Sequence, residues 1–441
     1  MKQMINDGVS AVTPTFSRRY KSYVLVILSS VYMLNLVDRA LVSLLLQPIK
    51  IDLKLSDTQL GFITGIAFAL FYATLGVPIA RWSDRGDRRL ITSLAIGLWG
   101  LTVMAFLLVG SFVQIVAARI AAAVGEAGCK PPTYSLLGDY FPDPAERNRA
   151  MAVYLGGNSI AGMLAFIVGG WLNELYGWRV TFFVMGIPGL VLAVVVWLTV
   201  TEPRSTKNLE TDPPHQLPFV AVLRNIWGCR STRHITIALV LLYTVGQGMA
   251  PWYAAFLMRS HGMQTGELGL WLGSILGLGG LAGTLLGGFV ASRYFVNRED
   301  LQMRFSALAV ALIVPCVAVF LLAPQKQIAI LAMLPLVAAF SIFLAPTYTL
   351  MQQLVPDNLR ATVLAIIMLL ANLLGMGLGP QLVGIFSDLL NPKFGDDSLR
   401  YAMLLVSIAG LWASCHYWLG SLSVRRDLEE GTFGSTVRAG S

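Results

Sequence analysis

Apolar residues arrive in long runs separated by short polar stretches. The runs lie near 22–46, 58–80, 90–110, 112–138, 150–172 and 179–200, then 234–258, 267–292, 304–323, 327–353, 361–388 and 400–423. A helix needs about 20 apolar residues to cross the hydrocarbon of a bilayer, so the pattern predicts twelve membrane-spanning helices. The longest polar connection, Glu202 to Arg233, divides them six and six. The expected units are a six-helix bundle over 1–201, a linker over 202–232, a second six-helix bundle over 233–424 and a tail over 425–441. Within the linker, Phe219, Val222, Leu223, Ile226 and Trp227 recur at helical spacing between arginines. That fits a helix lying on the membrane face or an ordinary connection with some apolar residues, and the pattern leaves both open.

The two halves repeat one another. Pro132-Thr133-Tyr134-Ser135-Leu136 returns as Pro346-Thr347-Tyr348-Thr349-Leu350, an offset of 214 residues (346 − 132). The same offset carries Pro142-Asp143 to Pro356-Asp357, Asn158 to Asn372, Gly170 to Gly384 and Glu174 to Asp388. Coincidences at a single offset predict two units of one design, and two such units enclose a central cavity near the bilayer midplane. The fold class expected is therefore an all-α membrane protein of two pseudo-symmetric six-helix bundles. Small residues four apart, Gly375 and Gly379 before Pro380, with Ala161 and Ala165 as their counterparts, suit close helix packing.

Composition narrows the class. Apolar residues make up 56% of the chain and charged residues 13%, about half the usual charged share of soluble domains. The net charge of +8 does not point to nucleic acid, because the basic residues sit in alternate short loops. They fall at Arg18, Arg19 and Lys21, at Arg81, Arg85, Arg88 and Arg89, at Arg147 and Arg149, in the linker at Arg204, Lys207, Arg224, Arg230 and Arg233, and at Arg293, Arg298, Arg425 and Arg426. By the positive-inside rule both termini are expected in the cytoplasm. The polar stretch before the first span is not a cleavable signal peptide, and a multi-pass protein of a bacterial inner membrane is expected. Cys129, Cys229, Cys316 and Cys415 form no metal-like spacing. There is no phosphate-binding GxxxxGK[ST] loop, which argues against an ATP-driven pump. His215, His234, His261 and His416 lie apart, and no HExxH or GxSxG motif is present, which argues against an enzyme.

Against this apolar background one stretch carries charge where a membrane helix should not. From Ser111 to Tyr140 the chain is rich in alanine and aliphatic residues, yet it holds Arg119, Glu126 and Lys130. At about 100° per residue their spacings of seven and eleven place them within about 20° of one line, with Thr133 close by. Ionisable groups at bilayer depth cost at least about 2.5–3.5 kcal/mol each, so they face a cavity or one another. An ion pair locking the bundle explains Glu126 and Lys130 alone; a third charge on the same line favours a substrate and proton site.

Two motifs carry a resemblance. Ala80-Arg81-Trp82-Ser83-Asp84-Arg85-Gly86-Asp87-Arg88-Arg89 resembles the GxLaDRxGRR loop of the major facilitator superfamily, with Ala80 and Asp87 at its glycines and Trp82 at its leucine. Gly288 to Arg293 is a faded second copy, Ser292 replacing the aspartate. Asn35-Leu36-Val37-Asp38-Arg39, with Gln47-Pro48-Ile49-Lys50, Leu55 to Gly61 and Gly125-Glu126-Ala127-Gly128, resembles the spinster-like branch. Lys130 departs from that pattern. The resemblance implies a secondary transporter that moves a lysophospholipid or sphingosine-type lipid by alternating access. It implies proton coupling through Asp38 and Glu126, with no cofactor besides the proton, and a cytoplasmic gate of Asp84, Arg85, Arg88 and Arg149.

Counting from helix ends puts Asp38 and Arg119 at one level, roughly 12 Å below the outer boundary, and Glu126 roughly 10 Å deeper. Asp38 is expected to pair with Arg119 or Arg39, and Glu126 to face the cavity. Arg39, Arg119, Lys130, Asn35 and Thr133 are the expected substrate and ion-pair residues. The buried set sums to +1 with both acids ionised and +3 with both protonated. The second half offers Tyr243, Gln247, Trp252, Tyr348 and Asn372, of which Tyr243, Gln247, Tyr348 and Asn372 are expected to line the cavity. A cationic half facing an apolar half suits an amphipathic anion. The expected partners are such a small molecule or lipid and the bilayer itself, with no nucleic acid, for a monomeric protein. An organic-anion or drug transporter of the same superfamily, or an uncoupled facilitator, is the alternative.

Overall fold

The computed structural model describes residues 16–203, 219–295, 298–356 and 359–431. Arg204, Lys207, His215 and Asp357 of the sequence reading lie outside them, as do 1–15, 204–218 and 432–441. Among the described residues ten helical runs are long and apolar enough to span a bilayer. They are α1 (Arg18–Leu53), α2 (Asp57–Arg85), α3 (Arg88–Leu108), α4 (Phe112–Tyr140), α7 (Arg230–His261), α8 (Thr265–Tyr294), α9 (Glu299–Leu322), α10 (Lys326–Leu354) and two double runs. Pro144–Thr199 turns at Gly177, whose φ of +80° few other residues adopt, giving α5 (144–176) and α6 (178–199). Thr362–Ser421 turns at Gly395, with φ +53°, giving α11 (362–394) and α12 (398–421). Twelve membrane helices result, in two six-helix halves.

Local sequence sets the helix ends. Ser56 and Gln59 form a reciprocal capping box that starts α2. α4, expected as one helix, is broken at Gly128 and Cys129 and restarts at Lys130. Pro131 and Pro132 supply no amide N–H, and prolines are tolerated only in a helix's first turn. The linker contains the helix Phe219–Gly228, with Val222 and Ile226 buried and Phe219, Val220 and Trp227 exposed. The short tail helix Val424–Glu429 brings Asp427 against the start of α7, where its Oδ2 accepts from the Ser231 amide at 2.8 Å and hydroxyl at 2.6 Å. An acid at a helix N-terminus satisfies free amides and complements the dipole.

The halves meet along two seams, α2 against α11 and α8 against α5, and glycine makes both possible. A Cβ at Gly61 or Gly65 would strike the backbone carbonyls of Pro380 or Gly377; at Gly269 or Gly273 it would press on those of Phe166 or Met163. The partner residues stand at the repeat's own offset (377 − 163 and 380 − 166 are both 214). Gly170 and Gly384 complete the symmetry, packed on the carbonyls of Thr265 and Asp57, the first residues of α8 and α2. Toward the end of the bundle that carries both described chain ends, the seams part. A Cβ at Gly76 or Gly162 would meet nothing within 4 Å. The halves thus form a wedge, closed at the Asp57 end.

Candidate functional site

A cavity of about 380 Å³ lies between the halves, with Arg39, Ser43, Phe68, Arg119 and Asn158 on one side and Gln247, Leu276, Gly277 and Met376 on the other. Its first-half wall holds two arginines, each paired with a buried acid behind it. Asp38, 1% exposed, accepts through Oδ2 from Arg119 Nη1, and its Oδ1 has no hydrogen-bond partner among the described residues. Glu126, fully buried, accepts from Arg39 Nη2 at 2.6 Å and Nε at 3.2 Å. The sequence reading expects Glu126 itself to face the cavity; the structure puts Arg39 there instead. The reason is reach: the guanidinium crosses from α1 to α4 in a two-point fork that covers the carboxylate.

Aromatic rings carry the cations. Arg39 lies 4.4 Å from the Phe68 centroid and 5.1 Å from that of Tyr72, and Arg119 lies 4.9 Å from Phe68. Lys130, 3.9 Å from Glu126, sits 5.7 Å from the Tyr32 ring and 5.5 Å from that of Tyr72. Ring faces attract cations most where water is excluded. Thr133 is buried and bonded to the Tyr154 hydroxyl at 2.8 Å, so it braces α4 on α5. Asn35 is fully buried on α1. Neither is among the residues lining the cavity.

In the second half only Gln247, of the four expected cavity residues, is part of the lining. Tyr243, Tyr348 and Asn372 gather on Met368: the two hydroxyls point at its sulfur from 3.7 and 3.3 Å, and the Asn372 amide donates to its carbonyl at 2.7 Å. Trp252 is buried and donates to the Pro380 carbonyl at 3.3 Å. The second-half wall combines Gln247, Ala250 and Pro251 of α7 with residues of two π-helical turns, Ile275–Gly279 in α8 and Ala371–Met376 in α11. Such turns insert one extra residue and are frequent at functional sites; periodicity alone does not reveal them. The second places Met376 Sδ 3.3 Å from Arg39 Nη1, a contact between the halves at the level of the buried acids.

The residues expected to form a cytoplasmic gate stand at the end where the seams part. Arg88 is fully buried and bound to Glu202 and Asp139, with Nη1 donating to Ser135 at 2.9 Å. Asp139 and Ser135 belong to α4 and Glu202 opens the linker, so Arg88 ties both to the start of α3. Asp84 and Arg85 are exposed, and Arg149 is exposed on a groove with Arg18, Lys21 and Glu146 between α1 and α5.

The polar closure lies at the other end of the molecule. Arg259 of α7 grips Asp57 of α2 with both terminal nitrogens at 2.7 Å and donates from Nε to Gln47 at 2.7 Å. Lys50 and Ser387 each reach the same carboxylate at 2.6 Å. Asp388 of α11 accepts from the backbone N–H of Asp57 at 3.0 Å and of Thr58 at 2.7 Å, capping α2 from the opposite half. Its repeat partner Glu174 lies against Gly266 at the start of α8. Sequence reasoning missed this lock, although Gln47, Lys50 and Asp57 stand in one quoted motif and Asp388 in the repeat.

Residues 28–380 match the Major Facilitator Superfamily. An "MFS-type efflux pump" of Mycolicibacterium smegmatis is 32% identical over 406 residues, covering 92% of this chain and 93% of that one. A "Hexuronate transporter" of Bacillus subtilis is 25% identical, covering 80% and 85%. Among solved structures, a bacterial homolog to the human lysosomal transporter Spinster, in an inward-facing and unoccupied conformation, superposes with a TM-score of 0.82 at 29% identity over 93% of this chain and 99% of that one. With its twelve helices, its two repeated halves and these likenesses, the chain belongs to the Major Facilitator Superfamily and is a spinster-like membrane transporter.

Proposed function

We propose that the protein is a proton-coupled secondary active transporter that carries an amphipathic anion, with lysophospholipids or sphingosine-type lipids as the leading substrate class. The observation that carries this reading is the pair of buried acids, each held by an arginine, behind one cavity wall. An incoming anion competes with Glu126 for Arg39, and a proton on Asp38 loosens Arg119. Substrate and proton therefore act on two neighbouring ion pairs of one buried cluster, and the interaction between those pairs is what couples the two ligands. The apolar second-half wall accommodates a chain while the cationic first-half wall takes the headgroup. The wedge opens toward the cytoplasm, with both termini on that side and the bacterial inner membrane as the site. The Asp57–Arg259 lock closes the outer face, and rocking about the glycine seams exchanges the two faces.

The test is uptake into proteoliposomes under an imposed proton gradient, comparing lysophospholipids, sphingoid phosphates and sugar acids. Gradient-driven flux of the lipids supports the reading. Flux of sugar acids or drugs instead supports the second reading, an organic-anion or drug transporter, which the likeness to an efflux pump and a hexuronate transporter favours. Flux indifferent to the gradient indicates an uncoupled facilitator.

A further inference from the structure

Glu126 stands between two cations. Arg39 Nη2 bonds its Oε1 at 2.6 Å, and Lys130 Nζ lies 3.9 Å from that same oxygen. Asp38 is matched by Arg119 and Glu126 by Arg39, so Lys130 is the spare charge of the cluster. A quarter of its side chain is exposed, and beside the Tyr32 and Tyr72 rings it lies at ion-pair distance from Glu126 but beyond hydrogen-bond reach. The other groups around the carboxylate come from several helices. α1 contributes Asp38, Arg39 and Tyr32, and α2 contributes Phe68 and Tyr72. α3 packs Trp99 and Ala95 against the neighbouring Gly125 and Gly128, and α11 brings Met376. None of these except Arg39 supplies a cation.

We propose that Lys130 is a standby counter-ion. When a substrate anion draws Arg39 away, Lys130 closes on Glu126 and keeps it ionised, so the transported proton rides on Asp38 alone. This rests on the proton-coupled, anion-carrying reading above. Charge balance gives the reason. The empty cluster, both acids ionised, holds Asp38 and Glu126 against Arg39, Arg119 and Lys130, a net +1. A monoanion on Arg39 brings it to zero with no proton taken up. Without Lys130 the loaded cluster would carry −1 at bilayer depth, and burial would drive a proton onto Glu126. Moving from 3.9 Å to a charge-assisted contact of about 2.8 Å needs only rotation within the lysine side chain.

Infrared titration of the purified full-length protein tests this without substrate, the protonated-carboxyl band of Glu126 being assigned by its loss in E126Q variants. Near neutral pH the band should be absent in Arg39→Met and appear in the double variant Arg39→Met with Lys130→Met. A band already present in Arg39→Met overturns the proposal, because Lys130 then fails to stand in. A band absent from both also overturns it, because something other than Lys130 holds the charge. Arg39→Gln, which keeps a polar group in place, replaces Arg39→Met if the latter does not fold. Since the titration contains no transported molecule, the coupling reading stands or falls separately, on flux.

Discussion

Removing Arg259 should open the face that is closed here. Its guanidinium makes two 2.7 Å contacts with Asp57, which is 1% exposed. Deleting one partner of a buried pair costs about 3–5 kcal/mol. Lys50 and Ser387 remain on the carboxylate at 2.6 Å, so in Arg259→Met the loss is about half of that, roughly 2 kcal/mol. It falls only on the conformation in which α7 and α2 touch, since Arg259 and Asp57 belong to different halves. At 1.4 kcal/mol per tenfold, the population open at the Asp57 end should rise roughly thirtyfold. The reporter is a cysteine at Ser43, which lines the cavity, in a background with Cys129, Cys229, Cys316 and Cys415 replaced. Its labelling by a membrane-impermeant maleimide, added from the Asp57 side, should accelerate about tenfold or more in Arg259→Met and Asp57→Asn and less in Lys50→Met. Unchanged labelling in both of the first two, with the proteins folded, refutes the lock.

Two further outcomes follow from the packing. Gly269→Val places a branched side chain against the Phe166 carbonyl, so the α5–α8 seam cannot close and Ser43→Cys labelling from the Asp57 side should rise as it does without Arg259. Arg88→Ala removes the buried guanidinium shared by Glu202 and Asp139, which are themselves 15% and 37% exposed; it should cost about 2 kcal/mol, read as a lower unfolding temperature of the detergent-purified protein, with the labelling pattern unchanged.

Much of the fold is legible because the bilayer demands it: each apolar run must be a helix, and the offset of 214 between halves reappears as matched glycine contacts. The level of Asp38 against Arg119 follows from counting along straight helices. Glu126 is harder, because whether a carboxylate faces the cavity depends on what reaches over it, and Arg39 comes from another helix. The repeat also misleads in places. Thr133 and Thr347 correspond in sequence, yet Thr133 bonds Tyr154 of α5 and Thr347 bonds Tyr417 of α12. Tyr243 of α7 and Tyr348 of α10 turn toward Met368 of α11 rather than the cavity, a direction that spacing within each helix does not reveal. Arg259 and Asp57 sit at helix ends, where a charge is ordinarily solvated; only the closure of one half on the other makes them a lock. Arg88, expected in a gate at the end where the seams part, holds Asp139 of its own half and Glu202 of the linker in this open arrangement.

The most direct test of the central claim is substrate flux driven by an imposed proton gradient in proteoliposomes bearing wild type, Asp38→Asn or Glu126→Gln. Wild type should accumulate substrate in proportion to the gradient, and both amides should lose that response while remaining folded. Unchanged gradient-driven transport in both amides would contradict the account.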